Sequence, residues 1–257
     1  MSETSLLMEA ASDVARVAGD IAHSFFRTPL DVRKKGDGSP VTIADQSAES
    51  AARTWIEKRF PADIIVGEEF GATGGSGSKR WIIDPIDGTK TFVRGVPLWG
   101  TLIAVVEGEE VKAGAAYFPA LGEMLCAAQG EGCWWNGVRA WVSPVETLAE
   151  ATVLTTDERY SAAPEHLEAW QRLGRGAGMQ RSWGDCYGYL LVATGRAEVM
   201  TDPQLTEWDA AALMPAVTEA GGVFTDWSGK ATAFGGSAIA TNRALAVEAR
   251  ATLGAGT

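Results

Sequence analysis

The sequence predicts a mixed αβ protein whose chemistry sits at the ends of its strands. Apolar residues alternate between helical and strand spacing along the chain, and the strand-like run Trp81-Ile82-Ile83 leads directly into Asp84-Pro85-Ile86-Asp87-Gly88-Thr89-Lys90. With 257 residues, 46% of them hydrophobic, the chain can bury a full core and lies outside disordered compositions. We read residues 1–257 as a single compact unit. A soft division separates residues 1–145, which carry the acidic motif, from residues 146–257.

Leu7, Ala11, Val14, Ala18, Ile21 and Phe25 recur at helical spacing, predicting an amphipathic helix from about Thr4 to Arg27 that stops before Pro29. Lys34–Pro40, with Gly36, Asp37, Gly38 and Ser39, reads as a polar loop. Thr42 with Asp45 three residues on reads as the capped start of a helix that reaches Phe60 before Pro61. Ile64-Ile65-Val66 is a short strand ending in Gly67-Glu68-Glu69, and Gly71–Ser78 reads as a mobile surface loop. Leu98–Val106, Val111–Phe118 and Glu123–Ala128 then alternate with turn signals, and Asn136-Gly137 marks a further hairpin.

Beyond Pro144, strand and helix patterns alternate. Thr152–Thr155, Ala197–Thr201, Val223–Asp226 and Ala238–Ala240 are strand-like. Pro164–Leu173, Cys186–Thr194, Trp208–Ala220 and a last segment from about Arg243 are helical, with Gly221-Gly222 ending the third.

Composition narrows the function. A net charge of −11 opposes binding to nucleic acid or anionic membranes, both of which need basic surface. No run approaches the roughly 18 apolar residues of a membrane span, and the acidic N-terminus lacks a signal-peptide pattern. The three cysteines, Cys126, Cys133 and Cys186, are odd in number and not in zinc spacing, so reduced thiols in the cytoplasm are expected. Only His23 and His166 could serve histidine chemistry, which weighs against Ser-His-Asp catalysis and histidine-bound zinc.

Glu68, Asp84, Asp87 and Asp209 all stand at element ends, where side chains can converge. Unpaired carboxylates are costly away from water, and a hard divalent cation such as Mg²⁺ removes that cost with oxygen ligands. Gly88 lets the backbone approach closely, offering its amide and that of Thr89 to an anion. The motif therefore reads as a metal site abutting a phosphate site. Each acid also has a plainer reading: Glu68 as a solvated loop acid, Asp84 and Asp87 as turn formers, Asp209 as a partner of a helix dipole. Trp208 and Ala210-Ala211-Ala212 around Asp209 favour a carboxylate turned inward.

Gly67-Glu68-Glu69, Asp84-Pro85-Ile86-Asp87-Gly88-Thr89, and Trp208-Asp209 followed by Glu219-Ala220-Gly221-Gly222 together resemble the inositol monophosphatase family of Mg²⁺-dependent phosphatases, over nearly the whole chain. The resemblance implies a layered αβαβα sandwich of the inositol monophosphatase-like (sugar phosphatase) fold, a homodimer, and two to three Mg²⁺ ions. The apolar hairpin around Trp134-Trp135 and Trp141 is a candidate for the dimer surface, the alternative being that these aromatics belong to the core. The resemblance also implies Glu68, Asp84, the Ile86 carbonyl, Asp87 and Asp209 as metal ligands, with Glu68 also reaching a looser ion through water. Thr89 and Asp45 would orient the attacking water, the Gly88 and Thr89 amides would hold phosphate, and one of Lys34 and Lys35, by preference Lys35, would meet it. Such a site needs neither histidine nor a covalent intermediate, because paired cations can activate water and neutralise the transferring group.

On the substrate side the chain departs from inositol monophosphatases. Asp185 follows Gly184 where that family carries small or hydroxyl residues, and Asp202 falls where it places an acid that binds ligand hydroxyls. Two carboxylates favour a cationic ester. Gly184-Asp185-Cys186-Tyr187-Gly188-Tyr189 and Phe92-Val93-Arg94-Gly95 resemble the histidinol-phosphate phosphatase branch, implying L-histidinol phosphate as substrate in histidine synthesis. Alternatively Asp185 is a helix cap, Asp202-Pro203 a turn, Arg94 a solvated cation, and the substrate inositol phosphate or a broad set of small phosphate esters. A non-catalytic module for metal or phosphate ligands would require a broken catalytic set, whereas all these residues are present.

Overall fold

The chain begins with α1 (Glu3–Phe25), whose first turn is capped by Ser2 and which buries Leu7, Ala11, Val14 and Ala18. A small hairpin of β1 (Arg33–Lys34) and β2 (Pro40–Val41) leads into α2 (Ile43–Arg59). Thr42 and Asp45 form the reciprocal capping box that their spacing predicts. The computed structural model describes residues 2–36 and 38–256, so Asp37 of the polar loop lies outside the described residues.

Eight strands make the first sheet: β3 (Ile64–Gly67), β4 (Gly71–Gly74), β5 (Lys79–Asp87), β6 (Gly100–Glu107), β7 (Glu110–Phe118), β8 (Glu123–Ala128), β9 (Gly132–Trp135) and β10 (Val138–Arg139). Their order is β10-β9-β8-β7-β6-β5-β3-β4, antiparallel except for the parallel pair β3/β5. The short α3 (Thr89–Phe92) follows β5. Asn136 and Gly137, both at positive φ, turn the β9–β10 hairpin.

The second half alternates β11 (Thr152–Leu154), α4 (Leu167–Gly176), β12 (Met179–Arg181), α5 (Asp185–Ala193), β13 (Val199–Asp202), α6 (Glu207–Ala210), α7 (Leu213–Glu219), β14 (Val223–Thr225), β15 (Ala238–Thr241) and α8 (Ala246–Leu253). Its five strands run in the order β12-β11-β13-β15-β14, with β11 parallel to both neighbours. Helices α1 and α2 cover one face of the first sheet, α5 and α7 fill the space between the sheets, and α4 and α8 cover the far face of the second. The layering is αβαβα.

Three segments depart from the expected elements. Gly71–Ser78 is not all loop: Gly71–Gly74 forms β4, because an edge position beside β3 asks only for backbone pairing, which glycines can supply. Trp208–Ala220 is broken into α6 and α7 around Ala211-Ala212, where Pro215 has no amide to offer the Ala211 carbonyl. Pro164–Leu173 begins as a 3₁₀ turn at Pro164–His166 before α4.

Gly114 in β7 determines how closely the α6–α7 break lies on the sheet. A Cβ there would come within 2.4 Å of the Ala212 carbonyl oxygen and 2.9 Å of Ala212 Cα. Backbone cannot yield as a side-chain tip would. Gly114→Val should therefore cost at least about 2 kcal/mol in urea unfolding. An unchanged midpoint would mean that the two layers are free to separate.

Candidate active site

Strand β5 delivers the acidic motif, and proline decides how. Its ladder with β6 is regular from Lys79 to Asp84 and then shifts register before Asp87 pairs with Gly100. Pro85 has no amide for the ladder, so the strand bulges at that point. Thr101 hydroxyl donates to the Pro85 carbonyl at 2.8 Å, and the Ile86 amide donates to Asp84 Oδ1 at 2.9 Å. Gly88, at φ 80°, then turns the chain into α3.

These bends bring Asp84 and Asp87 together with Asp209 from α6, a carboxylate oxygen of each within 4.8 Å of the others. Asp84 is buried. Its pKa is driven well up by burial and then by the charges of Glu68, Asp87 and Asp209. Asp87 is likewise pushed well up by burial, Asp185 and Asp209, against the 2.5 Å hydrogen bond it accepts from the Cys186 amide. That bond places Asp87 at the N-terminus of α5. Asp209 also accepts from the Thr206 amide and hydroxyl at 2.8 and 2.6 Å, which fixes it in the first turn of α6.

Glu68 leaves β3, the parallel neighbour of β5, and lies close enough to Asp84 for each to perturb the other. Burial raises its pKa, opposed by Lys35. Lys35 Nζ lies 2.6 Å from both Glu68 and Glu69 carboxylates, bonds that outweigh desolvation and raise its pKa. Glu69 itself is lifted to about 7, mainly by burial. The turn carrying both glutamates is held from below. Buried Glu49 accepts the Glu69 and Phe70 amides at 2.7 and 3.2 Å and pairs with Arg53 at 2.7 Å.

A cleft of about 780 Å³ opens over this ground. Lys35, Glu68, Asp87, Gly88, Thr89, Gly184, Asp185, Asp202 and Asp209 all line it. Asp45, Asp84 and Ile86 lie buried and are not in its lining. Thr89 hydroxyl donates to the Ile86 carbonyl at 2.9 Å, while Asp45 Oδ2 accepts from Thr42. Thr89 and Asp45 are thus not hydrogen-bonded to each other, and Asp45 Oδ1 is buried without a partner among the described residues. Burial raises the Asp45 pKa, partly offset by Thr42 and Lys35.

Of the acids expected to contact substrate, Asp185 stands at φ 49° and accepts a 3.2 Å bond from Thr91 hydroxyl. Burial and Asp209 raise its pKa, opposed by Thr91. Asp202 accepts the Thr156 amide at 3.1 Å and the Tyr189 hydroxyl at 3.0 Å, and burial lifts it to about 7. Thr156, Tyr189 and Thr91 also line the cleft, as does Arg94, and the first three were missed in the sequence. The position of Thr156 just past a parallel strand was the available signal. His23 and His166 pack against aromatic rings outside the lining, and the three cysteines are free.

An all-carboxylate, mutually repulsive cluster, with Asp84 and Asp87 buried and Asp209 partly so, suits a hard divalent cation with oxygen ligands. The inositol monophosphatase family model matches residues 3–255. A histidinol-phosphatase from Chlorobaculum parvum is 40% identical over 97% of each chain. One from Mycobacterium tuberculosis is 38% identical, covering 97% of this chain and 96% of its own. The solved inositol monophosphatase from Zymomonas mobilis superposes with a TM-score of 0.87 at 31% identity, covering 99% of this chain and all of that one (100%). The chain belongs to the inositol monophosphatase family, and as such is a phosphoric monoester hydrolase of metal-dependent type. No helix among the described residues is long and apolar enough to cross a membrane.

Without a cation, the cluster should oppose folding. In EDTA, Asp84→Asn should melt a few degrees above the wild type, because an amide keeps the acceptor for Ile86 and removes a repelled charge. Added Mg²⁺ should raise the wild-type melting temperature and the variant's far less. A variant that melts lower in EDTA would show that Asp84 is held by something other than a cation.

Proposed function

We propose that this phosphatase hydrolyses L-histidinol phosphate to L-histidinol and phosphate, as a step of histidine synthesis in the cytoplasm, and acts as a Mg²⁺-dependent homodimer. The observation that carries this reading is that two further carboxylates, Asp185 and Asp202, line the same cleft as Glu68, Asp87 and Asp209. A pocket so charged favours an ester bearing an ammonium group over a neutral polyol. The similarity to the histidinol-phosphatases from C. parvum and M. tuberculosis supports it.

In this reading Glu68, Asp84, Asp87, Asp209 and the Ile86 carbonyl hold two to three Mg²⁺ ions. Bound there, the ions supply positive charge to the phosphoryl oxygens and acidify the attacking water. The amides of Gly88 and Thr89 open the first turn of α3, lack intrahelical acceptors, and bind phosphate oxygens. Thr89 hydroxyl, which donates to the Ile86 carbonyl, would accept a hydrogen bond from the attacking water and orient it, and the Asp45 carboxylate, whose Oδ1 has no partner among the described residues, would receive the proton. Lys35, on the hairpin over the site, exchanges its glutamate partners for phosphate. Gly184 lets α5 come close enough for Asp185 to face the ligand, and Asp202 completes the cationic subsite.

A second reading, hydrolysis of inositol 1-phosphate, is favoured by the internal hydrogen bonds that already engage both oxygens of Asp202. Phosphate release from the two esters, each with Mg²⁺ and with EDTA, separates them. The account expects kcat/KM at least about tenfold higher for L-histidinol phosphate, a difference of about 1.4 kcal/mol. Asp185→Asn should erase most of that preference. Equal losses on both esters in the variant would remove the charge argument, and preference for the inositol ester in the wild type would establish the second reading.

A further inference from the structure

Thr156 bonds both acidic residues of the substrate side. It follows β11 at the cleft and reaches the carboxylate of one and the main-chain amide of the other. Its amide donates to Asp202 Oδ1 at 3.1 Å, and its hydroxyl accepts the Asp185 amide at 2.9 Å. Asp202 is further held by Tyr189, and the Asp185 side chain by Thr91.

The backbone around this joint is specialised. Asp185 occupies the left-handed region at φ 49°, which costs a non-glycine residue about 1 kcal/mol unless its surroundings enforce it. The Thr156 hydroxyl is such an enforcing contact, because it takes the amide of the strained residue itself. Gly184 makes the contact possible. A Cβ at Gly184 would come within 2.4 Å of Thr156 Cα and 2.7 Å of its hydroxyl. The bond to the acid at the end of β13 comes from the main-chain amide of Thr156, so the side chain adds the second tie, to Asp185, from a point already anchored on Asp202.

We propose that Thr156 is a positioning residue for substrate selection: it fixes the separation and aim of Asp185 and Asp202, so that together they receive the cationic end of an amino-alcohol phosphate. The inference rests on the substrate reading above. Thr156 touches neither the phosphate cradle nor the acid cluster among its hydrogen bonds, so its effect falls on ligand binding rather than on bond cleavage.

Steady-state kinetics of Thr156→Val, Thr156→Ser, Asp185→Asn and the Thr156→Val/Asp185→Asn double variant, on L-histidinol phosphate and inositol 1-phosphate with Mg²⁺, test it. Thr156→Val should raise KM for L-histidinol phosphate by about tenfold while kcat changes by less than about threefold, and Thr156→Ser should restore it. In the Asp185→Asn background, Thr156→Val should add less than about twofold. Equal losses on both esters, or single losses that multiply in the double variant, would overturn the proposal. Should the wild type prefer the inositol ester, the substrate reading falls, and the cycle run on that ester still decides: non-multiplying losses sustain the positioning role and multiplying losses overturn it. Should Thr156→Val not fold, Thr156→Ala removes the hydroxyl without added bulk and carries the same comparison.

Discussion

The structure is organised around a repulsion it does not relieve by itself. Asp84, Asp87 and Asp209 bring carboxylate oxygens within 4.8 Å of one another, with Glu68 beside Asp84. At such a separation each ionised pair repels by about 3 kcal/mol at an effective dielectric of about 20, before any cost of burial. That is a large share of the total stability of a domain. Protons or a divalent cation can cancel it. The raised carboxyl pKa values are the first solution, and the oxygen-only ligand set suits the second.

Much of the surrounding architecture holds these acids where solvent would separate them. Pro85 interrupts the β5–β6 ladder between Asp84 and Asp87, so the motif bulges at the sheet end instead of continuing as strand. Gly114 and Ala212 bring the α6–α7 break against the sheet, and the Thr206–Asp209 box aims the third acid. The α5 N-terminus takes Asp87 through the Cys186 amide, linking the acid cluster to the helix that carries Asp185. Lys35 contributes a cation over Glu68 and Glu69. In the proposed reading, phosphate chemistry and ligand choice therefore meet at one boundary, between the end of β5 and the start of α5.

Periodicity made the long elements legible: α1, α2 and β5 to β8 lie close to where apolar spacing placed them. It failed where backbone chemistry overrides side-chain pattern, at the glycine-rich β4 and at Pro215, whose missing amide splits a continuous-looking helix. The acids were visible because carboxylates at strand ends have few inexpensive explanations. Their supports were not. Glu49 and Arg53 have the spacing of a surface helix pair, yet they are buried and hold the Glu68–Glu69 turn. Thr156 and Tyr189 are ordinary residue types whose importance arises only when separate strands and helices bring them to Asp185 and Asp202.

The central claim, that the carboxylate cluster is a cation site, is tested most directly by titrating the EDTA-stripped protein with Mn²⁺ and counting bound ions by calorimetry and electron paramagnetic resonance. The account predicts at least two ions per chain, displaced by Mg²⁺, with at least one lost in Asp209→Asn at unchanged helix content. Wild-type protein that binds no Mn²⁺, or an Asp209→Asn variant that binds as many ions as the wild type, would contradict it.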